Sequence, residues 1–255
     1  IAKGKEFNTI QSHVNAPLFK CVFDYDFNGK CEIKIAVVGL YRLFLNGKEL
    51  NNGKFSPYLS NPDEVVFYDV YDITGKLKEK GNVLCVLLGN GFINNNDFDI
   101  WQNETAPYRS APKFSLELTV DGKSIIESDK SFLVADSPIT FDDFRCGERY
   151  DANLEMPNVL TSTSLDGFNK PITVEPPEGE LIKNTTQPIK EYRERKAVSI
   201  TKTEKGYVYD FGLNDTGIPR LKITAKKGQR IDLYFAETID DNGVDFRSIS
   251  FVKSN

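Results

Sequence analysis

The sequence predicts an all-β protein built from two antiparallel, jelly-roll-like β-sandwich domains. Three observations carry this reading. Apolar residues recur with a period of two in many short runs, as on a half-buried sheet. Turn-forming pairs such as Asn46-Gly47 and Asp121-Gly122 separate those runs. No stretch of ten or more residues carries a convincing helical period, a short turn near Val159 to Leu165 aside. At 255 residues the chain exceeds the usual single-domain size, which favours two sandwiches over one.

The first strand runs from Phe19 to Phe27, with Phe19, Cys21, Phe23 and Tyr25 on one face. Cys31, Ile33, Ile35 and Val37 repeat the pattern, Gly39 interrupts it, and Tyr41, Leu43 and Leu45 resume it before Asn46-Gly47. A glycine inside a strand pattern marks a bulge or a close backbone approach. Val65 to Ile73 and Asn82 to Leu88 follow as strands. Gly89 to Arg109 has no steady period and reads as a long surface loop, a kind of segment that often carries function. Phe114 to Val120 and Ser124 to Glu127 form a hairpin through Asp121-Gly122, and Phe132 to Ala135 adds a strand. Ser, Thr, Gly and Pro between Thr161 and Pro177 mark a linker. Beyond it, strands are expected around Val198 to Thr201, Tyr207 to Phe211, Leu221 to Ala225 and Ile231 to Phe235. A further strand starts at Phe251 to Asn255, so the natural polypeptide is expected to continue.

Composition excludes several functions. A net charge of -5 gives no long-range attraction for a phosphate backbone, so no nucleic-acid partner is expected. No run approaches the roughly 18 to 20 apolar residues of a membrane span, and no apolar signal-peptide core follows Ile1. Secreted, periplasmic and cytoplasmic placement all stay open. Cys21, Cys31, Cys85 and Cys146 form no CxxC pair and read as buried free thiols, with a Cys21–Cys31 disulfide as the alternative. His13 is the single histidine, too few for a multi-histidine metal site. No phosphate-binding glycine loop, HExxH or GxSxG occurs.

Two segments carry candidate sugar chemistry, which needs flat apolar faces and groups that hydrogen-bond hydroxyls. In the long loop, Trp101 and Tyr108 offer stacking faces. Asn90, Asn94, Asn95 and Asp97 could hydrogen-bond hydroxyls or hold calcium through oxygen ligands; Asn90 is the candidate sugar contact and Asn94, Asn95 and Asp97 the candidate calcium ligands, although no cofactor is required. Such rings also commonly pack as lids, and asparagine clusters commonly just turn. The stretch Thr140 to Asn153 mixes rings with charges, and Glu148, Tyr150 and Asp151 are its candidate sugar contacts. Glu148 and Asp151 also tempt as a glycosidase acid pair, but salt bridges to Arg145 or Arg149 explain them better, and no catalytic residue is assigned.

Several matches in order carry a resemblance. Gly39-Leu40-Tyr41-Arg42-Leu43-Phe44-Leu45-Asn46-Gly47 resembles the G-x-Y-x-L-x-x-N-G strand and turn of bacterial α-L-rhamnosidases. Tyr68-Asp69-Val70-Tyr71-Asp72-Ile73-Thr74, Leu87-Leu88-Gly89-Asn90-Gly91-Phe92 and Gly147-Glu148-Arg149-Tyr150-Asp151-Ala152 resemble its Y-D-V-T, L-G-N-G-W/F and G-E-x-Y-D-A regions. Pro176 to Leu181, Tyr209-Asp210-Phe211-Gly212 and Gly228-Gln229-Arg230 are similar to the adjoining concanavalin-like sandwich. The resemblance implies residues 1–170 as an N-terminal, carbohydrate-module-like sandwich and residues 171–255 as a truncated concanavalin-like one. It implies an enzyme removing terminal α-L-rhamnose, whose acids sit on a helical (α/α)6 domain downstream, so this chain by itself is expected to be inactive. Expected partners are that domain and a rhamnosyl glycan, bound with calcium in some relatives. Phe92 replaces the usual Trp, and Asn94 to Asp97 departs from the family continuation. A structural or adhesion sandwich, or an accessory sandwich of another glycosidase, is the rival reading.

Overall fold

The computed structural model describes residues 1–4, 15–26, 28–95, 106–129, 131–144, 146–240 and 243–245. Among them there is no α-helix, and one 3-10 turn spans Ala152–Leu154. The chain divides into two units, Ile1–Lys190 and Glu191–Asn255.

The first unit is a sandwich of two five-stranded sheets. Its strands are β1 (Pro17–Phe23), β2 (Cys31–Val38), β3 (Leu40–Leu45), β4 (Lys48–Glu49), β5 (Val65–Asp72) and β6 (Asn82–Gly89). They continue with β7 (Lys113–Val120), β8 (Lys123–Glu127), β9 (Leu133–Asp136), β10 (Ile139–Asp143), β11 (Gly147–Tyr150) and β12 (Glu180–Lys183). One sheet has the order β4-β3-β6-β1-β9 and the other β12-β5-β2-β7-β8, while β10 and β11 form a separate hairpin.

The period of two sets the core. Cys31, Ile33, Ile35 and Val37 of β2 face inward with Phe114, Leu116, Leu118 and Val120 of β7. Leu43 and Leu45 of β3 and Leu84, Val86 and Leu88 of β6 meet them from the other sheet. Phe114 bridges the layers, edge-on to Phe19 at 4.9 Å and to Phe132 at 5.6 Å. Asn46-Gly47 and Asp121-Gly122 make the tight turns, all four residues having positive φ as a type I' turn requires. Gly39 has φ 114, and a Cβ there would lie 2.5 Å from the Gly89 carbonyl oxygen, which is why a glycine separates β2 from β3. All four thiols are free, and Cys21, Cys31 and Cys85 are buried.

The first strand is shorter than the alternation suggests. It ends at Phe23, and Tyr25 instead donates its N–H to the Glu79 carbonyl. The outer face of the β1–β3–β6 sheet is not open to water. Leu18, Phe44, Val83 and Cys85 form a second apolar cluster there, covered by Met156, Val159, Leu160 and Phe168. The run expected as a linker therefore crosses unit 1, with Asn169 bridging Val134 and Ile172 bridging Ala2. The chain then adds β12 parallel to β5, from Glu180 beside Val65 to Lys183 beside Tyr68.

The second unit has two hairpins among its described residues, β13 (Ser199–Thr203) with β14 (Gly206–Asp210) and β15 (Thr238–Asp240) with β16 (Gly243–Asp245). The strands expected at Leu221 to Ala225 and Ile231 to Phe235 are not formed, although the Lys227-Gly228 turn between them is. Leu221, Ile223, Ile231, Leu233 and Phe235 are all exposed. Alternation alone does not make a strand: a ladder needs hydrogen-bonded neighbours, and these runs have none among the described residues.

Candidate functional site

The β10–β11 hairpin folds over the segment that leaves β6, and one carboxylate joins them. Asp142 on β10 lies cross-strand from Glu148 on β11. Its Oδ2 accepts the Asn90 backbone N–H at 2.5 Å, and its Oδ1 accepts Asn90 Nδ2 at 2.8 Å. The approach is close at Gly89, where a Cβ would sit 3.2 Å from Asp142 Oδ2 and the carboxylate would have to give by a few tenths of an ångström. The network continues inward: Asn94 Nδ2 donates to Asn90 Oδ1 at 2.9 Å, and Arg109 Nε donates to Asn94 Oδ1 at 3.0 Å. Phe92 packs on Phe144 with centroids 4.1 Å apart.

Electrostatics follow from this packing. Loss of water pushes the Asp142 carboxyl up to about 6, the Asn90 hydrogen bonds pull it down, and Glu148 and Asp143 raise it further. Glu148 is likewise raised by loss of water, with Arg42 acting against it. Arg42 spends its fork on Glu49, through Nε at 3.0 Å and Nη2 at 2.8 Å, and that hydrogen bonding is the main cause holding Glu49 below its ordinary value.

The candidate residues separate into three groups. Asn90 and Glu148 come together around Asp142, with Tyr150 and Asp151 further along the hairpin. Asn90, Asn94 and Asn95 are buried rather than displayed on a surface loop. Trp101 and Asp97 lie outside the described residues, as do His13 and Arg145. Tyr108 is partly buried in a turn beside Arg109. Tyr150 is exposed and donates its hydroxyl to Glu155 at 2.7 Å. Asp151 caps the 3-10 turn by accepting the Asn153 N–H at 2.9 Å, which lowers its pKa. Arg149 lies over the Phe141 ring at 5.0 Å.

Asp142 is the residue that sequence reasoning missed. Its signal was indirect: Gly89 and a run of asparagines beside a strand need an acceptor, and only the fold says which. Of the expected calcium ligands in the described part of the loop, Asn94 Oδ1 is engaged by the Arg109 guanidinium. Among the described residues no cluster of three His, Cys, Asp or Glu side chains could hold a metal. What the hairpin does present outward is two exposed rings, Phe144 and Tyr150, and one exposed carboxylate, Glu148.

The first unit is thus a two-sheet sandwich carrying a docked hairpin, and further β-structure follows it. Residues 29–193 match the family model of the alpha-L-rhamnosidase N-terminal domain, and the chain belongs to that family. Residues 200–251 match the bacterial alpha-L-rhamnosidase concanavalin-like domain. An alpha-L-rhamnosidase of Formosa agariphila is 31% identical over 228 residues, covering 84% of this chain and 23% of that protein. One of Streptomyces avermitilis is 26% identical, covering 84% of this chain and 21% of its own length. The chain thus spans about a quarter of the length of these curated relatives. The solved alpha-L-rhamnosidase of Aspergillus terreus shares the fold over 96% of this chain and 29% of its own, with a TM-score of 0.85 at 24% identity.

Proposed function

We propose that this chain is the non-catalytic front region of an α-L-rhamnosidase, one that acts on terminal α-L-rhamnose of glycans through a downstream catalytic domain of the same polypeptide. The observation that carries this is order: the N-terminal family model is followed directly by the concanavalin-like one, as two consecutive parts of a protein about four times longer. On this reading residues 1–190 are the carbohydrate-module-like sandwich, a boundary some twenty residues past the expected 170, and residues 191–255 lead into the concanavalin-like one. The two parts position the catalytic domain.

A rhamnosyl glycan is the proposed ligand of the hairpin rim and long loop, through Trp101, Tyr108, Glu148, Tyr150 and Asp151. A solved relative from Streptomyces avermitilis carries L-rhamnose, which supports the choice of sugar. Asn90, whose side chain bonds Asp142 and Asn94, acts in this scheme by holding the hairpin in place.

Hydrolysis of an aryl α-L-rhamnoside tests the reading. The 255-residue chain is expected to give no turnover above buffer. Sustained turnover that a single carboxylate substitution abolishes would overturn the non-catalytic assignment.

A further inference from the structure

Away from the hairpin, unit 1 carries a cleft of about 180 Å³ between residues 52–58, the face of β5 and the segment that follows β12. Its floor is a hydrogen-bond chain. Tyr41 donates its hydroxyl hydrogen to Asp69 Oδ2 at 2.5 Å, so the 2.7 Å contact between Tyr41 and Tyr71 is donated by Tyr71. Asn184 Nδ2 donates to Asp69 Oδ1 at 2.9 Å. Each carboxylate oxygen holds one of these donors and keeps lone-pair capacity for another.

The walls mix polar groups with apolar and aromatic ones. Phe55 and Tyr58 stand half exposed on one side, with Pro188 and Ile189 among the opposing residues. Phe55 has φ 56, a conformation that bulky residues avoid. Two backbone bonds bracket it there, from Lys54 N–H to the Ile189 carbonyl and from Tyr41 N–H to the Ser56 carbonyl, both 2.8 Å. A ring that stays 52% exposed gains little from burial, so its disfavoured backbone asks for another purpose.

We infer that this cleft is a binding subsite for one pyranose residue of a glycan, separate from the hairpin rim. Drug-sized ligands fill clefts of roughly 300 to 1,000 Å³, so this one takes a single small ring. The faces of Phe55 and Tyr58 suit the C–H side of a sugar. Asp69, Asn184 and Gln187 suit adjacent hydroxyls, which each donate and accept. Lys54 and Lys183 also line the cleft and can donate to hydroxyls, and a purely apolar ligand would strand these polar groups. The inference stands on the geometry of the cleft and does not need the hairpin contact proposed above.

Saturation-transfer NMR on the 255-residue chain, with methyl α-L-rhamnopyranoside, methyl β-D-galactopyranoside and methyl β-D-glucopyranoside at millimolar concentration, tests it. Transfer to at least one glycoside is expected, with binding roughly tenfold weaker in Phe55→Gly, as the loss of one aromatic contact predicts. Glycine suits the backbone at that position, so this variant keeps the fold. Tyr58→Ala is expected to weaken the same signal, and Tyr192→Ala, at an exposed ring outside the cleft lining, to leave it unchanged. No transfer to any of the three, or transfer undiminished in both cleft variants, would overturn the subsite. None of these outcomes depends on the turnover assay, so the two proposals fail separately.

Discussion

A lysine in the middle of β1 has no outlet to water. Lys20 is 1% exposed, with its Nζ donating to the Ser164 carbonyl at 2.8 Å and lying 5.3 Å from the Phe168 ring. Burial lowers its pKa, and Cys85 across the ladder acts in the opposite sense. Burial also pushes the Cys85 thiol up to about 12, which keeps it protonated and unreactive. The aliphatic stem of Lys20 fills space in the outer apolar cluster, so stem and charge can be separated by mutation. Lys20→Met keeps the volume and is expected to leave stability in urea unchanged or raise it by about 1 kcal/mol. Lys20→Ala opens a cavity and is expected to cost about 2 to 4 kcal/mol. Equal losses in the two variants would mean that the bond to Ser164, not packing, holds the covering segment down. Alternation put Phe19, Cys21 and Phe23 on one face of this strand and left Lys20 on the other. The reading of faces was right, but the cover supplied by Met156, Val159, Leu160 and Phe168 comes from far along the chain, and period-two reasoning carries no information about it.

At the scale of elements, the hairpin of β10 and β11 is docked through a carboxyl whose folded pKa of about 6 lies above its ordinary 3.8. A raised acid favours the fold while protonated. Its favourable contribution is therefore present below about pH 4 and is lost as pH rises through about 6, where ionising it within the fold costs on the order of 3 kcal/mol. Asp142→Asn removes this titration. The stability difference between the wild type and Asp142→Asn is expected to change between about pH 4 and 6 and to stay level on either side, as read by urea unfolding at each pH. A difference that is flat across that window would mean that Asp142 titrates normally. The strands here were legible because local alternation and turn residues specify them. The docking was not, since Asn90 and Asp142 are 52 positions apart and neither belongs to a recognisable ligand pattern. The parallel pairing of β12 escaped for the same reason: Pro176-Pro177 and Gly179 read locally as linker. Gly179 is in fact wedged against unit 1, where a Cβ would sit 2.5 Å from the Pro62 carbonyl oxygen.

Across the whole molecule the two units differ in how they bury their apolar residues. Unit 1 closes a core in which Phe19, Ile33, Leu43, Leu84 and Leu118 are all fully buried. In unit 2, residues from Val198 to Ile239 leave large apolar side chains exposed, and 213–237 contain no ladder among the described residues. Segments without ladder bonds or burial open at little cost, so limited trypsin digestion is expected to cut first at Arg220, Lys222, Lys226, Lys227 or Arg230 and to leave a resistant fragment near 1–190. First cuts inside β1 to β9, identified by mass spectrometry, would contradict that ranking. The connection between the units has a mechanical consequence. Before the chain leaves unit 1 it is hydrogen-bonded twice, once through β12 along β5 and once where Ile189 bridges Lys54. A tug transmitted from Glu191 onward would reach the Ile189 bridge first and peel a single edge strand next, so the joint serves as a cable clamp that gives way before the sandwich behind it feels the load.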